Sequence, residues 1–103
     1  MIIAVLADYE SAPVYNKFMQ LVEICFRDEC RLDLSRHQGN DWKKRDLARV
    51  KDIEEAHLVI VCSGWQNNMD VRHDLWEAQR RKKEIYIEFN GTFVPFNTYT
   101  ARV

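Results

Sequence analysis

Along the chain the apolar positions fall in two different periods, and the places where the period changes mark out its elements. Ile2 to Ala7 is an unbroken apolar run, the pattern of a strand covered on both faces in a parallel sheet. From Val14 the apolar residues recur at helical spacing, as Val14, Phe18, Leu21, Val22, Cys25 and Phe26, with Glu and Lys between them. Pro13 suits a helix start, so the spacing predicts a helix from about Pro13 to Glu29. Arg31 to Leu34 reads as a short second strand and residues 35–40 as a loop. Asp41 is the candidate N-cap of a helix that carries Leu47, Val50 and Ile53 on one face and ends near Ala56. His57 to Cys62 is the most strand-like run, rich in β-branched residues. Residues 63–70 have loop composition. Val71, Leu75 and Ala78 then resume the helical period as far as the basic run from Arg80 to Lys83. Ile85 to Phe89 is a further strand, Asn90-Gly91 a tight-turn pair, and Thr92 to Phe96 a short antiparallel return.

Strands alternating with helices predict an α/β fold: a three-layer α/β/α, flavodoxin-like or Rossmann-like parallel sheet of order about 2-1-3-4, with a C-terminal hairpin. The chain of 103 residues is read as one domain, 1–103. In such a sheet the order reverses between the first and third strands, and ligands bind outside the carboxyl ends there. The loops that matter are therefore Asp8 to Tyr15 and Ser63 to Asp74.

Composition narrows the classes of function. With 47% hydrophobic and 30% charged residues the chain is globular, and a net charge of -1 with both signs well mixed gives no long-range pull toward nucleic acid polymers or anionic membranes. The apolar N-terminus has no basic leader and meets Asp8 too soon for a signal peptide or a span, so the expected setting is the cytoplasm. Three cysteines without a CxxC pair suggest neither disulfides nor zinc, and Cys25 and Cys62, on apolar faces, are expected to be reduced and buried. His37, His57 and His73 lack metal-ligand spacing. Neither GxGxxG nor GxxxxGK[ST] occurs, so no metal or cofactor is expected. Three Trp and four Tyr exceed what so small a core readily hides, which predicts a homodimer or higher homo-oligomer around the helices bearing Trp42 and Trp76.

Three segments carry a resemblance: Tyr15-Asn16-x-Phe18 after the first strand, Asp41-Trp42-Lys43-Lys44-Arg45-Asp46-Leu47 before an apolar strand, and Gly64-Trp65 with a helix after it. Together the chain resembles a family of small phage and bacterial proteins of unassigned function related to the nucleoside 2-deoxyribosyltransferases. The resemblance implies a nucleoside deoxyribosyltransferase-like domain and a nucleoside or nucleotide ligand. It also implies a nucleophilic acid in the helix after Gly-Trp, which falls on Asp74, while Asp70-Val71 replaces a Gly-Ala pair. The first loop, Ala7-Asp8-Tyr9-Glu10, departs from the family's Gly-Pro turn, and its two acids would repel a phosphate there.

These residues frame two readings. In the first the protein is an enzyme of N-glycosidic bonds, deoxyribosyltransferase-like or N-glycosidase-like. Asp74 is its nucleophile, and Asp70 or Asp8 orients sugar hydroxyls. Tyr9 and Trp65 stack on the base, and Asn16 and Asn68 supply hydrogen bonds. In the second it is a non-catalytic module that binds or sequesters a nucleotide-derived small molecule. Each residue also has a plain structural explanation: Asp74 as a solvent-facing complement to the helix dipole, Asp70 as a helix cap, Trp42, Trp76 and Tyr86 as core or contact residues.

Overall fold

The computed structural model describes residues 1–97. In chain order the elements are β1 (Ile2–Leu6), α1 (Ala12–Cys25), β2 (Cys30–Asp33), α2 (Trp42–Glu55), β3 (Leu58–Val61), α3 (Met69–Arg80), β4 (Glu84–Phe89) and β5 (Thr92–Pro95). Short 3₁₀ turns at Leu34–Arg36 and Trp65–Asn67 follow β2 and β3. The strands form one mixed sheet in the order β2-β1-β3-β4-β5. The first four run parallel and β5 returns antiparallel to β4.

The sheet is apolar where it is central. Ile3 to Leu6 and Val59 to Val61 are fully enclosed, and in register Val5 stands beside Ile60 on one side and Asp33 on the other. Helical residues that close over it are Phe18 and Val22 of α1, Ile53 of α2, and Val71, Leu75 and Ala78 of α3. Phe93 of β5 meets Phe18 and Phe26 edge-on, at ring-centroid distances of 6.1 and 5.3 Å. Large-to-small changes at such positions cost roughly 2–5 kcal/mol.

Helix ends follow local chemistry. Pro13 stands in the first turn of α1, and the Asp41 side chain accepts from the Lys44 amide to cap α2, as the sequence predicts. Asn68, not Asp70, caps α3: its Oδ1 accepts from the Val71 amide at 3.1 Å, and Asp70 falls in the first turn. At the other end Lys82 takes φ 56°, and the Lys82 and Lys83 amides turn back to the Gln79 and Ala78 carbonyls. The Asn90-Gly91 turn has φ 52° and 81°, both left-handed, which suits this pair in a two-residue hairpin.

Two expectations about burial, at Cys25 and Leu47, are corrected, and for Trp42 and Trp76 the core alternative falls away. Cys25 is exposed, because α1 turns Phe18 and Val22 inward and leaves Cys25 outside; Cys62 is buried. Leu47 is 72% exposed: the inward face of α2 runs through Arg49, Asp52 and Ile53. Trp42 and Trp76 are 60% and 56% exposed, so neither belongs to the core. No helix among the described residues is long and apolar enough to cross a membrane.

Candidate functional site: the carboxyl side of β1 and β3

The chain runs from β1 to β2 on one side of the sheet, then crosses to β3 on the other, which brings the loops after β1 and β3 side by side. Asn68 ties them together. Besides capping α3, it donates from Nδ2 to Asp8 Oδ1 at 2.9 Å, and it is itself buried. The same Asp8 oxygen accepts from the Glu10 amide at 3.1 Å, which turns the chain just past β1. Tyr9, next in the loop, directs its hydroxyl at Asp70 Oδ2 across 3.4 Å. Gly64 opens the second loop at φ 75°, a left-handed conformation that a side chain would strain.

Behind this crest α2 and α3 face each other through charges. Arg45 and Arg49 lie four apart on α2, Asp70 and Asp74 four apart on α3, and they meet rung for rung. Arg45 Nη2 stands 3.6 Å from Asp70 Oδ1. Arg49 donates from Nε and Nη2 to Asp74 Oδ2 at 2.9 and 2.7 Å. The outer rung is half-exposed, whereas the inner one is sealed, with side chains 2% and 0% exposed. Asp74 is therefore not a solvent-facing acid. Burial pushes its carboxyl above the ordinary range and the two Arg49 bonds oppose this. Burial also weakens the charge on Arg49, but the Asp74 bonds outweigh it and hold the guanidinium above its ordinary value. We take the pair as charged on both sides, since a neutral Asp74 would leave a buried cation alone.

Of the residues the sequence singled out, Asp8 with Asn68 and Tyr9 with Asp70 form two hydrogen-bonded pairs across the same two loops, with Asp74 one helical turn beneath. Trp65 and Asn16 join none of those bonds. Trp65 packs on the core and against Phe96, ring centroids 6.1 Å apart, and its buried indole Nε1 has no hydrogen-bond partner among the described residues. Asn16 is exposed on α1. Sequence reasoning missed Arg45 and Arg49. Their signal was present as two cations and two acids at matching four-residue spacing in neighbouring helices. It also missed a cavity of about 420 Å³ between α1 and the ends of β3 and β4, walled by Phe18, Leu21 and Ile24 with Lys17, Ser63 and Glu88 at its rim. Among the described residues no group of three or more His, Cys, Asp or Glu is placed to hold a metal ion.

Compared with protein-family models, with curated proteins and with solved structures, the chain has no significant match.

Proposed function

We propose that this protein is a non-catalytic binding module for a nucleoside-type small molecule, seated on the carboxyl side of β1 and β3 in a three-layer, flavodoxin-like frame. One observation carries the reading: the acid best placed by sequence to be a nucleophile is enclosed and has two Arg49 donors on one oxygen. A carboxylate attacks at contact distance from the reacting carbon, and the enclosure of Asp74 leaves a substrate no such approach. Binding groups are at hand instead. Asp8 keeps its Oδ2 free of hydrogen bonds among the described residues, which suits a sugar hydroxyl, and the half-buried Tyr9 ring gives a face for a base. The nucleoside class comes from the resemblance of the Tyr15, Asp41–Leu47 and Gly64-Trp65 segments to the deoxyribosyltransferase-related family.

Calorimetry with a panel of nucleosides and their monophosphates tests the proposal. The expected result is saturable binding, weakened by Tyr9→Ala, with the ligand recovered intact by chromatography. Release of free base overturns it.

The catalytic alternative, with Asp74 as nucleophile and Asp70 as its acid or base partner, is favoured by one detail: among the described residues Asp74 Oδ1 has no hydrogen-bond partner. It requires Arg49 to let go, and base release abolished by Asp74→Asn is its signature. Our reading also includes a cytoplasmic homodimer through the exposed Trp42 and Trp76, to be checked by light scattering on the wild type and on Trp42→Ser with Trp76→Ser.

A further inference from the structure

The loop after β2 opens on the same side of the sheet as the loops after β1 and β3, because the three strands are parallel. Between residues 36–41 of that loop and the start of α2 lies a cavity of about 380 Å³, lined by Arg36, His37, Asp41, Lys44 and Arg45 among others. Its charges are unevenly satisfied. Arg36 donates to Asp52, and His37 Nε2 stands 2.8 Å from the same buried carboxylate, so Asp52 is already neutralised. Asp41 has its Oδ1 committed to the Lys44 amide, so the helix start itself offers little.

The remaining cations are different. Among the described residues the Lys44 ammonium has no carboxylate within ion-pair distance. Arg45 reaches Asp70 and Asp46 only at 3.6 and 3.8 Å, beyond hydrogen-bond range, and among the described residues its guanidinium donates no hydrogen bond. A guanidinium and an ammonium with unused donors on one cavity wall form the donor set that a tetrahedral dianion accepts. We propose that this cavity is a phosphate subsite and takes a phosphate monoester.

Arg45 joins the subsite to the crest, since the same guanidinium that lines the cavity faces Asp70, the partner of Tyr9. That arrangement sets a polarity. Asp8 and Glu10 at one end repel an anion and suit hydroxyls; Lys44 and Arg45 at the other attract it. For what the phosphate is attached to, the inference rests on the proposed nucleoside site, and together they specify a nucleoside monophosphate rather than a free nucleoside.

The test uses inorganic phosphate as the probe, titrated into isotope-labelled full-length protein and followed by amide NMR, with chloride at equal ionic strength as the control. The expected result is a saturable shift confined to residues 36–45, weakened about tenfold by each of Lys44→Gln and Arg45→Gln, as loss of a charge-assisted bond implies. Lys44 is exposed and Arg45 only partly so, and unchanged thermal melting certifies the fold of each variant. An equal response to chloride, or phosphate binding indifferent to both substitutions, overturns the subsite. A second titration compares a nucleoside with its 5′-monophosphate. If phosphate binds at residues 36–45 while no nucleoside perturbs Tyr9, the binding-module reading falls and the subsite stands. If the nucleoside perturbs Tyr9 and neither its monophosphate nor inorganic phosphate touches residues 36–45, the subsite falls alone.

Discussion

Arg49 spans from α2 to α3 and places two of its nitrogens on a single oxygen of Asp74, at 2.9 and 2.7 Å, in a spot that water does not reach. Around that pair the other oxygen of Asp74 and the Nη1 of Arg49 go without hydrogen-bond partners among the described residues. The contact is thus both a clamp between helices and an incompletely satisfied one, and its removal has consequences that can be measured.

Breaking one side leaves a buried charge uncompensated. Asp74→Asn and Arg49→Met are each expected to lose about 3–5 kcal/mol, while Asp74→Leu combined with Arg49→Met recovers most of the loss. Urea denaturation of the three variants checks this, and losses under about 1 kcal/mol for both single changes would contradict the enclosure of the pair.

Asn68 holds both the α3 cap and the Asp8 carboxylate. Asn68→Ala is expected to cost about 1–2 kcal/mol, in the range of lost caps. Asn68→Asp keeps an acceptor for the Val71 amide but sets two carboxylates against each other, so its loss should shrink as salt is raised. Thermal melting of both variants at two salt concentrations separates the capping share from the electrostatic one.

The cysteines should sort by exposure. Cys25 and Cys30 lie open to solvent, whereas burial pushes the Cys62 thiol up to about 11. Alkylation of native protein near neutral pH is expected to modify Cys25 and Cys30 rapidly and Cys62 only on unfolding, as peptide mass mapping would show.

Stability should fall in acid partly through Glu77. Burial tends to raise its carboxyl, but the bonds from Arg81 and Arg80 prevail and hold it below its ordinary value of 4.5. A lowered folded-state value means stabilisation that is complete above pH 4.5 and is lost as pH falls through the lower, folded-state value. Denaturation midpoints followed downward from neutral pH should therefore decline less steeply for Glu77→Gln than for the wild type.

The strands were legible because apolar side chains leave a pattern that burial alone explains. Ile3 to Leu6 and Val59 to Val61 read as enclosed and are enclosed. The inward face of α2 was not legible in the same way. Its positions hold Arg49 and Asp52, charged residues that become tolerable inside only once partners on other segments neutralise them. A hydrophobic count therefore assigns the face to Leu47, which points outward. The same blindness affected the site: Asp74 looks like a free acid in sequence because its partner stands 25 residues away. Asp8 and Tyr9 lie beside Asn68 and Asp70 because the reversal of strand order, which the pattern does predict, brings their two loops together.

The short return strand β5 also decides which edge the sheet presents on its β4 side. A sheet that ended at β4 would present that strand's free amides and carbonyls to any passing chain, an invitation to edge-to-edge polymerisation. β5 covers that edge with only four residues, the last of which, Pro95, has no amide hydrogen to extend a ladder. The hairpin thus replaces a six-residue edge with a four-residue one that ends in proline and carries no charge.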